Sequence, residues 1–566
     1  MTLDLLVRDG VVVDGSGEPR FAADVAIEGG VVVEVGRLAG RHARRVVDAG
    51  GRVVAPGFVD PHTHYDPQLH WDGLATPSLL HGVTTVVTGN CGVTLAPCRS
   101  ADRRSLARLF HVVEEIPLAA FEQGIEWRWE SFGECLDALE GRLGPNLVAF
   151  VGHSAIRYFA MGPASYEREA RDDEIAAMRG LLAASLREGA AGFSTSQSVY
   201  HVGEGGRPIP SRLASEAEVA ALADVLGEQG RGTFQTDGGA RTHEIPEHVR
   251  RIDGPIALRT GRTVLLSGTL HEWNHPEVWR EVHAALAEFQ ARGARIFTQA
   301  SPVRLDLDFA LDTAILFQDL PTLGRITGLS RAEKLAAYRD PAVRDAIEFE
   351  AVVDRSPCFF SRRWESVFVA EVGSEGNRAL VGRSVAEIAA QRGARIADAL
   401  CDLVVAEDLA VRFHLEGSAN GDDDAVAAML RSPQALIGFS DAGAHVNTLC
   451  GAGDTSLVLA RWVRERGVLG LEEAVRALSF QPASVLGLRG RGLLQPGYAA
   501  DCVVFDPDAV EHRPPRRVAD LPGGGERLWR DAPGIAAVIV NGEVVVEAGV
   551  ATEARPGRVV RGEGLR

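Results

Sequence analysis

Two histidines one residue apart close an apolar run, Pro56-Gly57-Phe58-Val59-Asp60-Pro61-His62-Thr63-His64. Side chains alternate along a strand, so both imidazoles leave one face and can share a metal ion. Other ligand-type residues also sit at the ends of apolar runs. Cys91 follows Val86-Val87-Thr88-Gly89-Asn90, His153 follows Val151-Gly152, and Asp441 follows Ile437-Gly438-Phe439-Ser440. Two imidazoles, a thiolate and a carboxylate form a zinc set, and zinc brings the pKa of bound water towards neutrality. Asp441 would then hold that water and move its proton as general base and acid. His153 and His445 are candidates for touching substrate, and Asp237, beside Gly238-Gly239, is a further carboxylate of ligand type. Each has a plainer role available, as strand end, buried cysteine, helix cap or turn residue. Their recurrence at strand ends is what favours chemistry.

Residues so far apart in sequence need a scaffold that gathers strand ends. Eight strand-like runs are legible: Gly57–His64, Val83–Cys91, Leu147–His153, Ala190–Ser196, Gly232–Asp237, Thr263–Gly268, Ala294–Gln299 and Ala435–Asp441. Helical runs such as Glu174–Glu188 and Glu216–Gln229 lie between them, the pattern of parallel strands with crossovers. Eight such units make a closed (β/α)₈ barrel the economical reading, with the chemistry at its C-terminal rim. Residues 302–434 are too many for one crossover and are expected to form a mostly helical lid.

The chain ends differ from the middle. Residues 3–54 alternate β-branched runs with Asp-Gly and Gly-Gly turns, and Asp501–Asp506 and Val538–Val546 repeat the style. One small β domain assembled from both ends is expected, over residues 1–54 and 487–566, around a barrel at 55–486. The 566 residues hold ample apolar sequence for a large core, and a net charge of −18 argues against nucleic acid or anionic membrane as partner. The odd count of 7 scattered cysteines points to a reducing, cytoplasmic setting without disulfides. No signal peptide or apolar run of bilayer length is legible.

These motifs resemble the amidohydrolase superfamily, within it the N-acyl-D-amino-acid deacylase (D-aminoacylase) branch. The matching pieces are Ala55–Asp66, His81–Gly92 with its Asn90-Cys91-Gly92, Gly152-His153-Ser154, Gly192–Thr195, Gly438–Asp441 and the tail Gly497–Asp506. The resemblance implies a metal-bearing (β/α)₈ barrel, TIM-like, with a β-sandwich built from both termini. It makes His62, His64, Cys91 and Asp441 the metal residues and Asp441 the general base. It also implies hydrolysis of the carbon–nitrogen bond of an N-acyl amino acid or related small amide by metal-activated water. The family pattern places histidine ligands at the ends of the fifth and sixth strands; here Asp237 and Gly268 stand at those places. Three arrangements stay open. One zinc ion can sit on His62, His64, Cys91 and Asp441; Asp237, His243, His271 or His275 can supply replacement ligands; or the pocket can hold no metal. The first is preferred, because its four donors suffice for a divalent ion. A lyase, decarboxylase or cyclase on the same scaffold, and a binding protein without turnover, are the alternatives to hydrolysis. The expected partner is a small amide, and a homo-oligomer is the default for a barrel of this size.

Overall fold

The computed structural model describes residues 2–311, 315–317, 319–354, 356, 358–561 and 564–565. Eight parallel strands lie side by side in chain order. They are β1 (Phe58–Asp60), β2 (Val83–Thr88), β3 (Asn146–Gly152), β4 (Gly192–Thr195), β5 (Thr233–Thr236), β6 (Thr263–Thr269), β7 (Ile296–Ala300) and β8 (Ala435–Ile437). Each falls within or beside one of the eight runs read from the sequence. Almost every residue in them is buried, as expected of strands covered on both faces. The two edges of this curled sheet meet just past the C-terminal ends of β1 and β8. Thr63 and Ala442 form a parallel bridge there, flanked by Asp441 N–H to His62 O at 3.1 Å and His64 N–H to Ala442 O at 2.8 Å. The His-x-His motif and Asp441 are therefore fastened to each other by main chain before any side chain is considered.

Strands from the two chain ends pair into one nine-stranded sheet. The seam joins Val53–Pro56 to Cys502–Phe505, antiparallel, with Pro56 opposite Cys502 and Val53 opposite Phe505. Val54, Val504, Ala537 and Ile539 fill its core. Gly57 carries the chain from this sheet straight into β1, its N–H held by Asp501 O at 2.9 Å. The His-x-His motif is thus reached one short strand after the terminal sheet.

The insertion between β7 and β8 differs from the mostly helical lid expected of it. Leu305–Phe309, Arg412–Ala419 and Val367–Glu371 form a three-stranded antiparallel sheet. Helices such as Pro321–Thr327 and Ile396–Ala406 surround it. Phe413 and Leu415 alternate inward along the central strand, a period of two that marks a strand. The insertion has its own core of Phe309, Phe317, Tyr338, Phe360, Trp364 and Phe413. Its last helix, Asp423–Leu430, instead joins the barrel core through Val426 and Met429. No helix among the described residues is long and apolar enough to cross a membrane.

Candidate active site

A cavity of about 750 Å³ opens over the C-terminal ends of the strands, with His64, Cys91, Glu114, Asp441 and His445 in its lining. The insertion covers it through Leu305, Asp306 and Phe359. At its floor, His64 and Cys91 and, just beneath the lining, the fully buried His62 bring donor atoms within 4.8 Å of one another. Cys91 Sγ is 3.5 Å from His62 Nε2. Asp441 Oδ1 is 3.7 Å from His62 Nε2 and 3.1 Å from His64 Nε2. Ligands on one zinc ion, at bonds of 2.0–2.3 Å and tetrahedral angles, stand roughly 3.2–3.8 Å apart. The His62–Cys91 and His62–Asp441 separations fall in that range, Asp441 is slightly closer to His64, and the group that converges mutually is His62, His64 and Cys91, with Asp441 set against the two imidazoles.

Neighbouring groups turn the rings inward. His62 Nδ1 lies 2.8 Å from Gln299 Oε1, which as an acceptor leaves Nε2 free to bind a cation. His64 Nδ1 faces Glu114 Oε1 at 3.2 Å, the kind of carboxylate partner that metal-binding histidines have behind the ring. Glu114 follows helix α1 (Arg103–Val113), which carries it under the barrel mouth. Cys91 is held in the left-handed region at φ 55° between Gly89 and Gly92. A Cβ on Gly89 would stand 2.1 Å from Phe150 O, so only glycine lets this turn lie against β3. Gln235 Oε1 accepts from the Cys91 N–H at 2.9 Å and fixes the turn from the other side.

The electrostatics favour a cation. Burial holds His62 down at about 4, so its ring is neutral and able to ligate. Burial also works against charge on His64, yet Glu114 and Asp441 outweigh it and raise the ring to about 10. Burial opposes ionisation of Asp441 as well, but His64, His445 and His62 hold it well below the ordinary carboxylate range. Burial, with Asp237, Asp441 and Glu114 nearby, pushes the Cys91 thiol well above its ordinary value. A field that protonates a buried imidazole and suppresses a thiolate is strongly negative, and a divalent cation would neutralise it.

Asp237 stands apart from the two histidines of β1. It belongs to a second group, in which Cys91, His201 and Asp237 bring donor atoms within 4.8 Å of one another. Gln235, two residues earlier on the same strand face, occupies the deeper position and donates to Ser267 Oγ at 2.7 Å. None of His243, His271 and His275 joins a donor cluster among the described residues. His243 and His275 instead face each other at 5.1 Å. His445 lines the cavity with Nε2 3.7 Å from Asp441 Oδ2. His153 requires correction: it is fully buried and absent from the cavity lining. Its ring nitrogens are taken by Thr195 Oγ1 at 2.8 Å and Glu218 Oε1 at 2.9 Å. Following β3 places a residue at the rim, but the helix His153–Met161 turns this ring into the barrel wall. Glu114, His201, Gln235 and Gln299 escaped the sequence reading; only the alternation of Gln235 with Asp237 along β5 carried a usable signal.

Residues 45–546 match the model of the amidohydrolase family. The D-aminoacylase of Alcaligenes xylosoxydans xylosoxydans is 30% identical over 98% of this chain and 97% of its own. A D-aminoacylase structure bearing on the role of its binuclear metal centre superposes with a TM-score of 0.68 at 28% identity, covering 98% of this chain and 99% of its own. The N-acyl-D-glutamate deacylase of Bordetella bronchiseptica, complexed with zinc and a phosphonate mimic of the tetrahedral intermediate, gives a TM-score of 0.68 at 26% identity. That match covers 99% of this chain and 100% of the deacylase.

Proposed function

The chain belongs to the amidohydrolase family, and on that premise we propose that it hydrolyses the amide bond of an N-acyl amino acid. One zinc ion on His62, His64, Cys91 and Asp441 is enough for the reaction. The observation that carries this reading is the convergence of His62, His64 and Cys91 from two strand ends, with Asp441 from a third set against both imidazoles, at the base of a substrate-sized cavity. The D-configured substrates of the relatives set the first compounds to try.

A bound divalent cation would supply Lewis acidity, activating water and polarising the substrate carbonyl. The protein's own groups manage the protons. Asp441 is ionised at neutral pH and so begins as a base. Its Oδ1 is turned to the two imidazoles, leaving Oδ2 to take the proton from the attacking water. The same oxygen returns that proton to the leaving nitrogen, which must depart as a neutral amine. Asp441 sits at φ 58° and His445 at φ 47°, so the loop holds both in strained conformations beside the reacting atoms. His445 Nε2, facing Oδ2, steadies the carboxylate and is placed to contact the scissile group.

The test is release of primary amine from a panel of N-acetyl D- and L-amino acids by the zinc-loaded chain. Asp441→Asn should lower turnover at least about a hundredfold, the range of a lost general base. No amine from any member of the panel, or full activity in the variant, would overturn the proposal.

A further inference from the structure

We infer that Arg527, far outside the barrel sequence, is a positioning residue for the loop that carries Asp441 and His445. Between Cys502–Phe505 and Ile535–Val540, neighbours in the terminal sheet, the chain makes an excursion to the barrel mouth. There Arg516–Leu521 and Gly525–Trp529 pair as an antiparallel hairpin. Three carbonyls of the loop after β8 accept from this excursion. Val446 O takes the Leu528 N–H at 2.8 Å. Two longer bonds run from Arg517 Nη2 to Asn447 O at 3.4 Å and from Arg530 Nη2 to Cys450 O at 3.5 Å. Leu528 and Arg530 also line the cavity, so the excursion forms part of its wall.

Arg527 fixes where the hairpin stands. Its side chain is buried, and Nε and Nη2 fork onto the two oxygens of Asp520, on the opposite hairpin strand, at 2.8 and 2.7 Å. Nη1 crosses to Gln68 Oε1 at 3.0 Å. Gln68 is itself buried and lies just beyond His64 in the loop after β1. Two adjacent residues, Arg527 by its side chain and Leu528 by its main chain, thus tie the loop after β1 to the loop after β8. Apart from the Ala442 bridge, residues 438–453 form no helix or strand that could hold them in place. Yet the loop keeps Asp441 and His445 in the left-handed region, and such conformations last only where the surroundings over-determine them. The hairpin supplies that outer constraint, so the C-terminal segment belongs to the active site and not only to the terminal sheet.

Arg527→Met keeps the apolar stem and strands no buried charge, because the Asp520 side chain is 39% exposed and reaches water. Amide hydrogen exchange on the full chain, read by mass spectrometry without added metal or substrate, tests the tie directly. Peptides spanning 441–450 and 65–72 should exchange at least about tenfold faster in Arg527→Met, while Cys502–Phe505 exchanges as in wild type. Arg527→Lys, which reaches Asp520 or Gln68 but cannot fork, should fall between the two. The effect on turnover rests on the amide hydrolysis proposed above. On any amide that wild type cleaves, kcat should fall about 10–100-fold with KM held within about twofold, the mark of displaced catalytic groups. Unchanged exchange at 441–450, or exchange raised equally throughout the chain, would overturn the inference whether or not any amide is cleaved. Full kcat beside raised exchange would overturn the role in the reaction. A wild type that cleaves nothing would sink the proposed hydrolysis alone and leave exchange to decide the inference.

Discussion

Glu114 shows how much of the site is set by residues outside the donor cluster itself. Its carboxylate faces His64 Nδ1 at 3.2 Å while His64 Nε2 faces Asp441 at 3.1 Å, so one imidazole is gripped at both ends. Removing the outer grip frees the ring to rotate and lowers its basicity. Glu114→Gln should therefore weaken zinc affinity about 10–100-fold while the fold survives, checked by competition with a calibrated chelator. Unchanged affinity would show that main-chain geometry alone orients His64. His62 and His64 were legible because a two-residue period puts them on one strand face. Glu114 was not, because a glutamate at a helix end is usually a solvated charge, and only packing brings it within reach of His64.

At the scale of elements, the wall between β3 and β5 depends on one buried carboxylate. Glu218 Oε1, on the helix Glu216–Gln229, accepts from Arg157 Nε at 2.8 Å and pairs with His153 Nε2 at 2.9 Å. All three side chains are fully buried. Glu218→Ala would strand the Arg157 cation in the wall, a loss of about 3–5 kcal/mol for a broken buried pair. Glu218→Gln keeps an acceptor and should lose less. Denaturant melts should show that order with zinc content unchanged; loss of zinc in Glu218→Gln would mean that His153 acts at the site and not in the wall. The eight barrel strands were legible because each is a short apolar run bounded by turns. The sheet within the insertion was not, because its strands pair across long separations, Leu305–Phe309 with Arg412–Ala419.

For the molecule as a whole, buried neutral histidines set part of the acid sensitivity. His283 is 7% exposed, hydrogen-bonded to Thr269 Oγ1 at 3.1 Å, and held by burial at about 4 instead of 6.5. A base with a depressed folded pKa stays neutral in the fold and gains a proton on unfolding below pH 6.5. Its contribution is complete above that pH and is lost as pH falls towards 4. His283→Gln should remove on the order of 3 kcal/mol of the stability lost over that window. Chemical denaturation at pH 7 and pH 4.5 would check it, and equal losses in both proteins would refute it. Sequence alone determined the order of the strands, the pairing of His62 with His64, and the arrival of Cys91 and Asp441 at strand ends, because strand period and turn chemistry are local. Only the tertiary structure decided that His153 faces the wall, that Asp237 meets His201 across Cys91, and that Glu114 and Gln299 stand behind the imidazoles. Those contacts join different strand ends and loops, and their geometry is fixed by how the sheet curls and how helices pack on it, which no local pattern encodes.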